Sequence, residues 1–292
     1  MSSDQASPDY FAPDSVSDAR QRLADAEGFV KVVSGGQTLM LLLRQGFVQA
    51  DALLDISRVP ALSGVAVADG RVTVGATTTY ADLADHEVAD RVAMLGDACD
   101  GIADRQVRNA GTVGGALCHA DPAFDIVPPL LCLNAKVRTG STDGERTLPL
   151  ADFLVGHMRT DLGPDELLEA VAFDLPDSDR SGSAYEKHAA VEDGWATVGA
   201  ASLVTITDGQ FSDVRVGLTA VADTAVRSQA VESSLTGEPV TEDAIETASE
   251  AVTEDIDPLD DLSGSAEYKR GLAPTLVARS LTTATRRAGG NP

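Results

Sequence analysis

Short apolar runs and amphipathic stretches alternate along the N-terminal part of the chain. Residues 18–26 have helical spacing. Residues 29–33 (Phe-Val-Lys-Val-Val) read as a strand that runs straight into Ser34-Gly35-Gly36. Residues 37–44 are again helical in composition and stop before Gly46, and 52–56 form a second strand. This pattern predicts a small β-loop-α-β unit. Two alternating runs, 65–67 and 71–74, flank Asp69-Gly70, a pair favoured by hairpin turns. Residues 81–84 open a helical region that continues through 93–103, and the glycines of 109–115 break it. Pro128-Pro129 limits 125–134 to a proline-initiated helix. A hairpin is predicted from 136–138 and the turn Thr142-Asp143-Gly144, with 169–175 as the closing strand. Residues 177–183, polar and glycine-containing, read as a linker. Beyond them, 196–207 and 214–218 are strands joined through Asp208-Gly209, and 241–252 and 266–287 are helical. The expected class is α+β. One domain covers 1–176, with subdomains at 1–57 and 58–176. A small α+β domain with an antiparallel sheet and helices covers 177–292.

Charge narrows the range of partners. The 292 residues carry 46 Asp and Glu against 22 Lys and Arg, a net charge of −24. Nucleic acid needs a basic footprint and is excluded. Lysine occurs only at Lys31, Lys136, Lys187 and Lys269, and the acids are spread along the whole chain. Such self-repulsion is screened at molar salt, where the Debye length is about 3 Å. The composition therefore reads as adaptation to a salt-rich cytoplasm. Residues 1–17 have neither the basic nor the apolar region of a signal peptide, and no apolar run is long enough for a membrane span. Cys99, Cys118 and Cys132 form no CxxC pair and read as small buried hydrophobes. His86, His119, His157 and His188 are too scattered to predict a metal site, and no nucleophile–base pair suggests a catalytic residue.

Two glycine loops carry the chemistry. In Ser34-Gly35-Gly36-Gln37-Thr38-Leu39 a strand ends, glycines follow and a helix begins, a geometry that exposes backbone N–H groups to a phosphate. A tight β–α turn would look the same. Gly111-Thr112-Val113-Gly114-Gly115 repeats the arrangement and adds a hydroxyl, although a loop packed on a neighbouring strand is the alternative. Asp125 suits either a hydrogen bond to cofactor hydroxyls or a helix N-cap. The pair of loops says more than either alone, because the two phosphates of a dinucleotide need donors from two directions.

These segments, in this order, resemble the medium, FAD-binding subunit of the molybdenum hydroxylases, the carbon monoxide dehydrogenase and xanthine dehydrogenase family. The resemblance rests on Tyr10-Phe11-Ala12-Pro13-Asp14-Ser15, the first glycine loop, Gly75-Ala76-Thr77-Thr78-Thr79, and above all 105–115 (Arg-Gln-Val-Arg-Asn-Ala-Gly-Thr-Val-Gly-Gly). His119-Ala120-Asp121-Pro122-Ala123-Phe124-Asp125 continues that signature, and Tyr185-Glu186-Lys187 and Ala266-Glu267-Tyr268-Lys269-Arg270 extend it towards the C-terminus. Ala116 and Tyr80 depart from the family's usual residues, but no glycine is lost.

The resemblance implies a two-subdomain FAD-binding domain, vanillyl-alcohol-oxidase-like (PCMH-type), followed by the family's C-terminal domain. It implies that Ser34, Gly35, Gly36, Gln37, Thr38 and Leu39 cradle FAD together with Gly111, Thr112, Val113, Gly114 and Gly115. Thr78 and Thr79 would add hydroxyl donors, and Asp125 would hold sugar hydroxyls. Lys187 would approach the flavin ring, unless it is a surface cation. Trp195 would lie beside the ring, unless it anchors the C-terminal sheet. Implied partners are a large molybdopterin subunit and a small subunit with [2Fe–2S] clusters, assembled as a dimer of heterotrimers. The alternative is a free-standing FAD-dependent oxidase or reductase of the same fold. The charge reading has its own test. Dialysis from molar to millimolar salt is expected to cost structure or cofactor, and an unchanged far-UV spectrum and flavin content would count against it.

Overall fold

The computed structural model describes residues 7–177, 179–191 and 193–292. The α+β class expected from the sequence forms around successive sheets. The first has three parallel strands, with Ala52–Asp55 between Asp9–Phe11 and Val30–Val33. Helix Val16–Asp25 connects two of them. Ser15 caps it, accepting a hydrogen bond from the Asp18 N–H (3.2 Å), and Ala19 and Leu23 are buried against Leu54, Ile56 and Leu62. The sequence pattern missed strand Asp9–Phe11, because three residues, two of them exposed, leave no alternation to read. Helix Leu39–Gln45 begins two residues later than expected and ends at Gly46, whose φ is +74°. Gln37 and Thr38 therefore stay in the loop.

The second sheet is antiparallel, in the order Val65–Ala68, Arg71–Gly75, Leu167–Asp174, Lys136–Gly140, Glu145–Pro149. Asp69 and Gly70 both have positive φ (51° and 76°), so the turn predicted there forms with both residues in the left-handed region. The short helices between 80 and 132 supply the core on this sheet through Leu83, Met94, Leu95, Leu117, Ile126 and Leu130. The predicted long helix through 93–103 is shorter, Ala93–Asp100, and separate from Tyr80–Ala84 and Glu87–Arg91.

The third sheet is also antiparallel, in the order Ser181–Ala189, Ala196–Thr207, Gln210–Thr219, Val226–Arg227. Helix Ala266–Arg287 packs on it through Ala273, Leu276, Val277 and Leu281. The expected linker over 177–183 is thus partly strand. Gly182 is not a flexible joint, since a Cβ there would come within 2.1 Å of the Ala284 carbonyl oxygen. It lets the long helix approach the sheet. Ser178 lies outside the described residues. Among those described, no helix is long and apolar enough to cross a membrane.

Arg20 ties the first sheet's helix to the second sheet. Its Nε donates to Glu169 Oε1 (2.7 Å) and its Nη2 to Glu145 Oε1 (2.7 Å). Glu169 is buried, so this pair is screened little by solvent. Removing Glu169 leaves the largely buried Arg20 guanidinium with only the exposed Glu145 as partner. We therefore expect Glu169→Ala to lower unfolding stability by about 3 kcal/mol. The check is a drop in the urea midpoint at unchanged m-value.

Candidate functional site

The two glycine loops meet backbone to backbone. A Cβ on Gly35 would stand 1.8 Å from the Ala110 carbonyl oxygen, so only glycine permits the contact. Gly36, with φ +68°, turns the chain towards helix Leu39–Gln45. The Thr112 hydroxyl donates to Ser34 Oγ (3.0 Å) across the junction. It also accepts from the Gly115 N–H (3.2 Å) and so caps helix Val113–His119.

The second loop rests on residues 76–80. Gly114 N–H donates to the Ala76 carbonyl (2.9 Å), Val113 N–H to that of Thr78 (3.0 Å), and Tyr80 N–H to that of Gly111 (3.0 Å). Gly114 has no room for a side chain, because its Cβ would lie 2.6 Å from Ala76 atoms. Most donors of this loop are therefore already used. The first loop differs. Among the described residues, no acceptor is found for the N–H groups of Gly35, Gly36, Gln37, Thr38 and Leu39. The Thr38 hydroxyl caps nothing. In the second loop only the Thr112 N–H is similarly free.

These donors line a cleft of about 840 Å³, within the range of small-molecule and cofactor sites. Ser34, Gly35, Gly36, Gln37, Thr38, Leu39, Gly111, Thr112, Gly114, Gly115, Asp125 and Trp195 all lie on its wall. Thr78, Thr79, Val113 and Lys187 do not. Thr78 is fully buried, and its hydroxyl donates to the Gly64 carbonyl (3.0 Å). Thr79 caps helix Tyr80–Ala84 by accepting from the Asp82 N–H (3.0 Å). Both threonines support the second loop from behind. Val113 points into the core.

Asp125 is buried and is not an N-cap. Its Oδ1 accepts from the Tyr185 hydroxyl (2.5 Å) and its Oδ2 from Lys187 Nζ (3.1 Å). Burial pushes its carboxyl above the ordinary range, while the Lys187 charge and these hydrogen bonds oppose the rise. Burial and the neighbouring Asp125 charge raise the Tyr185 phenol well above its usual value. Lys187 is not a surface cation, since its side chain is 10% exposed. Trp195 is not a core anchor either. It is 54% exposed and stacks on Phe124 with 5.3 Å between centroids and 20° between planes. The His119 ring lies 5.5 Å from Phe124, tilted by 43°.

Cys99 and Cys132 are buried as expected, and burial pushes their thiols up to about 12. Cys118 departs from that reading. It is exposed on the cleft wall, one helical turn after the exposed Gly115. Sequence reasoning also missed the wall formed by 162–168, where Gly163-Pro164 marks a turn without saying what the turn faces. No group of three His, Cys, Asp or Glu among the described residues has the geometry to hold a metal.

A methyl group on Gly35 tests the junction. Gly35→Ala is expected to push the loops apart, to cost about 1–3 kcal/mol of stability as an overpacked contact, and to lower the flavin content of the purified protein. Gly271→Ala is the control, because a Cβ there meets nothing within 4 Å. Retained flavin in Gly35→Ala would contradict the junction's role.

A family model described as the FAD binding domain in molybdopterin dehydrogenase matches residues 4–176, and one described as the CO dehydrogenase flavoprotein C-terminal domain matches 183–284. The chain is similar to the carbon monoxide dehydrogenase medium chain of Hydrogenophaga pseudoflava, at 34% identity over 94% of this chain and 96% of that one. It is also similar to the 6-hydroxypseudooxynicotine dehydrogenase complex subunit alpha of Paenarthrobacter nicotinovorans, at 35% identity over 96% and 95% of the two chains. Among solved structures, carbon monoxide dehydrogenase from Hydrogenophaga pseudoflava matches with a TM-score of 0.92 at 34% identity, covering 96% of this chain and 98% of that one. Quinoline 2-oxidoreductase from Pseudomonas putida 86 matches with a TM-score of 0.91 at 30% identity, covering 97% and 98%. The likeness runs through both glycine loops and the C-terminal sheet, and the chain belongs to the family of FAD-binding medium subunits of molybdenum hydroxylases.

Proposed function

We propose that this chain is the electron-transfer flavoprotein of a larger complex. In this reading a partner subunit with [2Fe–2S] clusters delivers electrons to the FAD, and an external acceptor takes them away. Substrate is oxidised on a third, molybdopterin-binding chain. The relatives' names support the division of labour, since they are called a medium chain and a complex subunit. A dimer of heterotrimers and a salt-rich cytoplasm belong to the same proposal, as does a domain boundary at residue 176.

The observation that carries the FAD assignment is the row of free N–H groups at 35–39 beside a glycine junction that admits no side chain. Backbone donors at close approach suit a pyrophosphate. Gly35, Gly36, Gln37 and Thr38 would bind it, with the Thr112 N–H opposite and Ser34 and Thr112 locking the loops together. Asp125 would meet cofactor hydroxyls with the lone pairs that Tyr185 and Lys187 leave unused. Trp195 and Phe124 would form the aromatic wall beside the flavin ring, restricting water and acceptor access. Lys187 would lend positive potential from behind Asp125. Bound FAD supplies a carrier able to handle electrons singly or in pairs, and the protein supplies position and electrostatics.

Purification from the native cell at high salt tests the reading. Flavin bands, iron–sulfur absorbance and two further chains in one complex are expected. A single chain that carries flavin and turns over a substrate alone would establish a free-standing flavoenzyme instead.

A further inference from the structure

Lys187 makes more contacts than an ion pair requires. Its ammonium has three protons and meets three oxygens: the Gly101 carbonyl (2.5 Å), Asp125 Oδ2 (3.1 Å) and the Gly194 carbonyl (3.3 Å). They come from three separate segments: the end of helix Ala93–Asp100, the stretch before helix Val127–Cys132, and the connection between strands Ser181–Ala189 and Ala196–Thr207. Two of the oxygens belong to residues adjacent in sequence to the aromatic pair. Asp125 follows Phe124, and Gly194 precedes Trp195. One buried cation therefore holds the backbone beside both stacked rings.

The cation is itself held in place. Lys187 and Tyr185 alternate along one strand and so share a face. The Tyr185 hydroxyl grips the other oxygen of Asp125, and its ring end lies over Gly199, where a Cβ would come within 2.1 Å. Trp195 has no comparable anchor of its own. Its indole is half exposed, has no hydrogen-bond partner among the described residues, and stacks on Phe124.

We propose that Lys187 is a positioning residue for Trp195: anchored on Asp125, it fixes the Gly194 carbonyl and so seats the indole against Phe124 on the cleft wall. Its consequence for flavin rests on the reading above that the cleft holds FAD. The placement of the indole does not, and it can be measured without cofactor.

Trp195 is the sole tryptophan, so its fluorescence reports this one position. In the full chain without flavin, Lys187→Met is expected to raise the acrylamide quenching constant of Trp195 about twofold as the indole leaves its stack, with the far-UV spectrum unchanged. Lys187→Arg keeps the charge and several donors, and should return the constant towards the wild-type value. An unchanged constant in folded Lys187→Met overturns the proposal. Should that variant fail to fold, Lys187→Gln makes the same comparison, because a neutral amide offers fewer donors and no charge to Asp125. Raised quenching there supports the proposal and unchanged quenching overturns it. Failure of the FAD reading would show separately, as wild-type Trp195 emission that added FAD does not quench.

Discussion

The site depends on one close contact, the passage of Gly35 over the carbonyl of Ala110. It brings a loop of the parallel sheet against the loop between helices Arg105–Arg108 and Val113–His119, with no side chain between them. The Thr112–Ser34 hydrogen bond then fixes their register. Behind the second loop, residues 76–80 accept or donate at nearly every available backbone position. The consequence is a division of roles. The second loop is a wall whose N–H groups, Thr112 apart, already have acceptors, and the first leaves its N–H groups free beside the cleft. Unsatisfied backbone donors are costly when buried and useful when a ligand meets them. Their grouping in one short segment beside a large cleft suits that segment to an anion.

Charge acts at a second level. In a chain with 46 acidic residues and four lysines, the position of each lysine carries weight. Lys187 and Lys269 are both buried in ion pairs, with Asp125 and Asp261. Lys31 stands on the cleft wall with its ammonium 4.6 Å from the Phe29 centroid. Arginine serves instead where two carboxylates must be bridged, as Arg20 does between Glu145 and Glu169 and Arg146 between Asp161 and Glu166. The fork of a guanidinium suits that task, whereas a compact ammonium suits a three-way node such as the one at Lys187.

Much of this was legible in the sequence, for physical reasons. Glycines at 35 and 36 signalled backbone exposure, whereas those at 111 and 114 are buried packing contacts, and Asp69-Gly70 and Asp208-Gly209 signalled hairpins, because few residues tolerate positive φ. The signature at 105–115 pointed to the family, and the matches over both parts of the chain agree with it. Other features were not legible. Thr78 and Thr79 are hydroxyl-bearing residues beside the site, and no sequence pattern says that their oxygens turn inward to backbone groups. Gly182 has the composition of a linker and the role of a packing contact, which depends on a helix a hundred residues away. The Lys187 node joins three segments far apart in sequence, so only the fold brings it together.

The most direct test of the site is backbone hydrogen exchange on the full chain at high salt, with and without FAD. Donors waiting for a phosphate should exchange freely in the empty cleft and slow sharply when FAD binds, so residues 35–39 are expected to gain protection. Residues 113–116, whose N–H groups already have acceptors, should be protected in both states. Protection on FAD binding confined to other segments, with 35–39 unchanged, would contradict the assignment of this loop as the cradle.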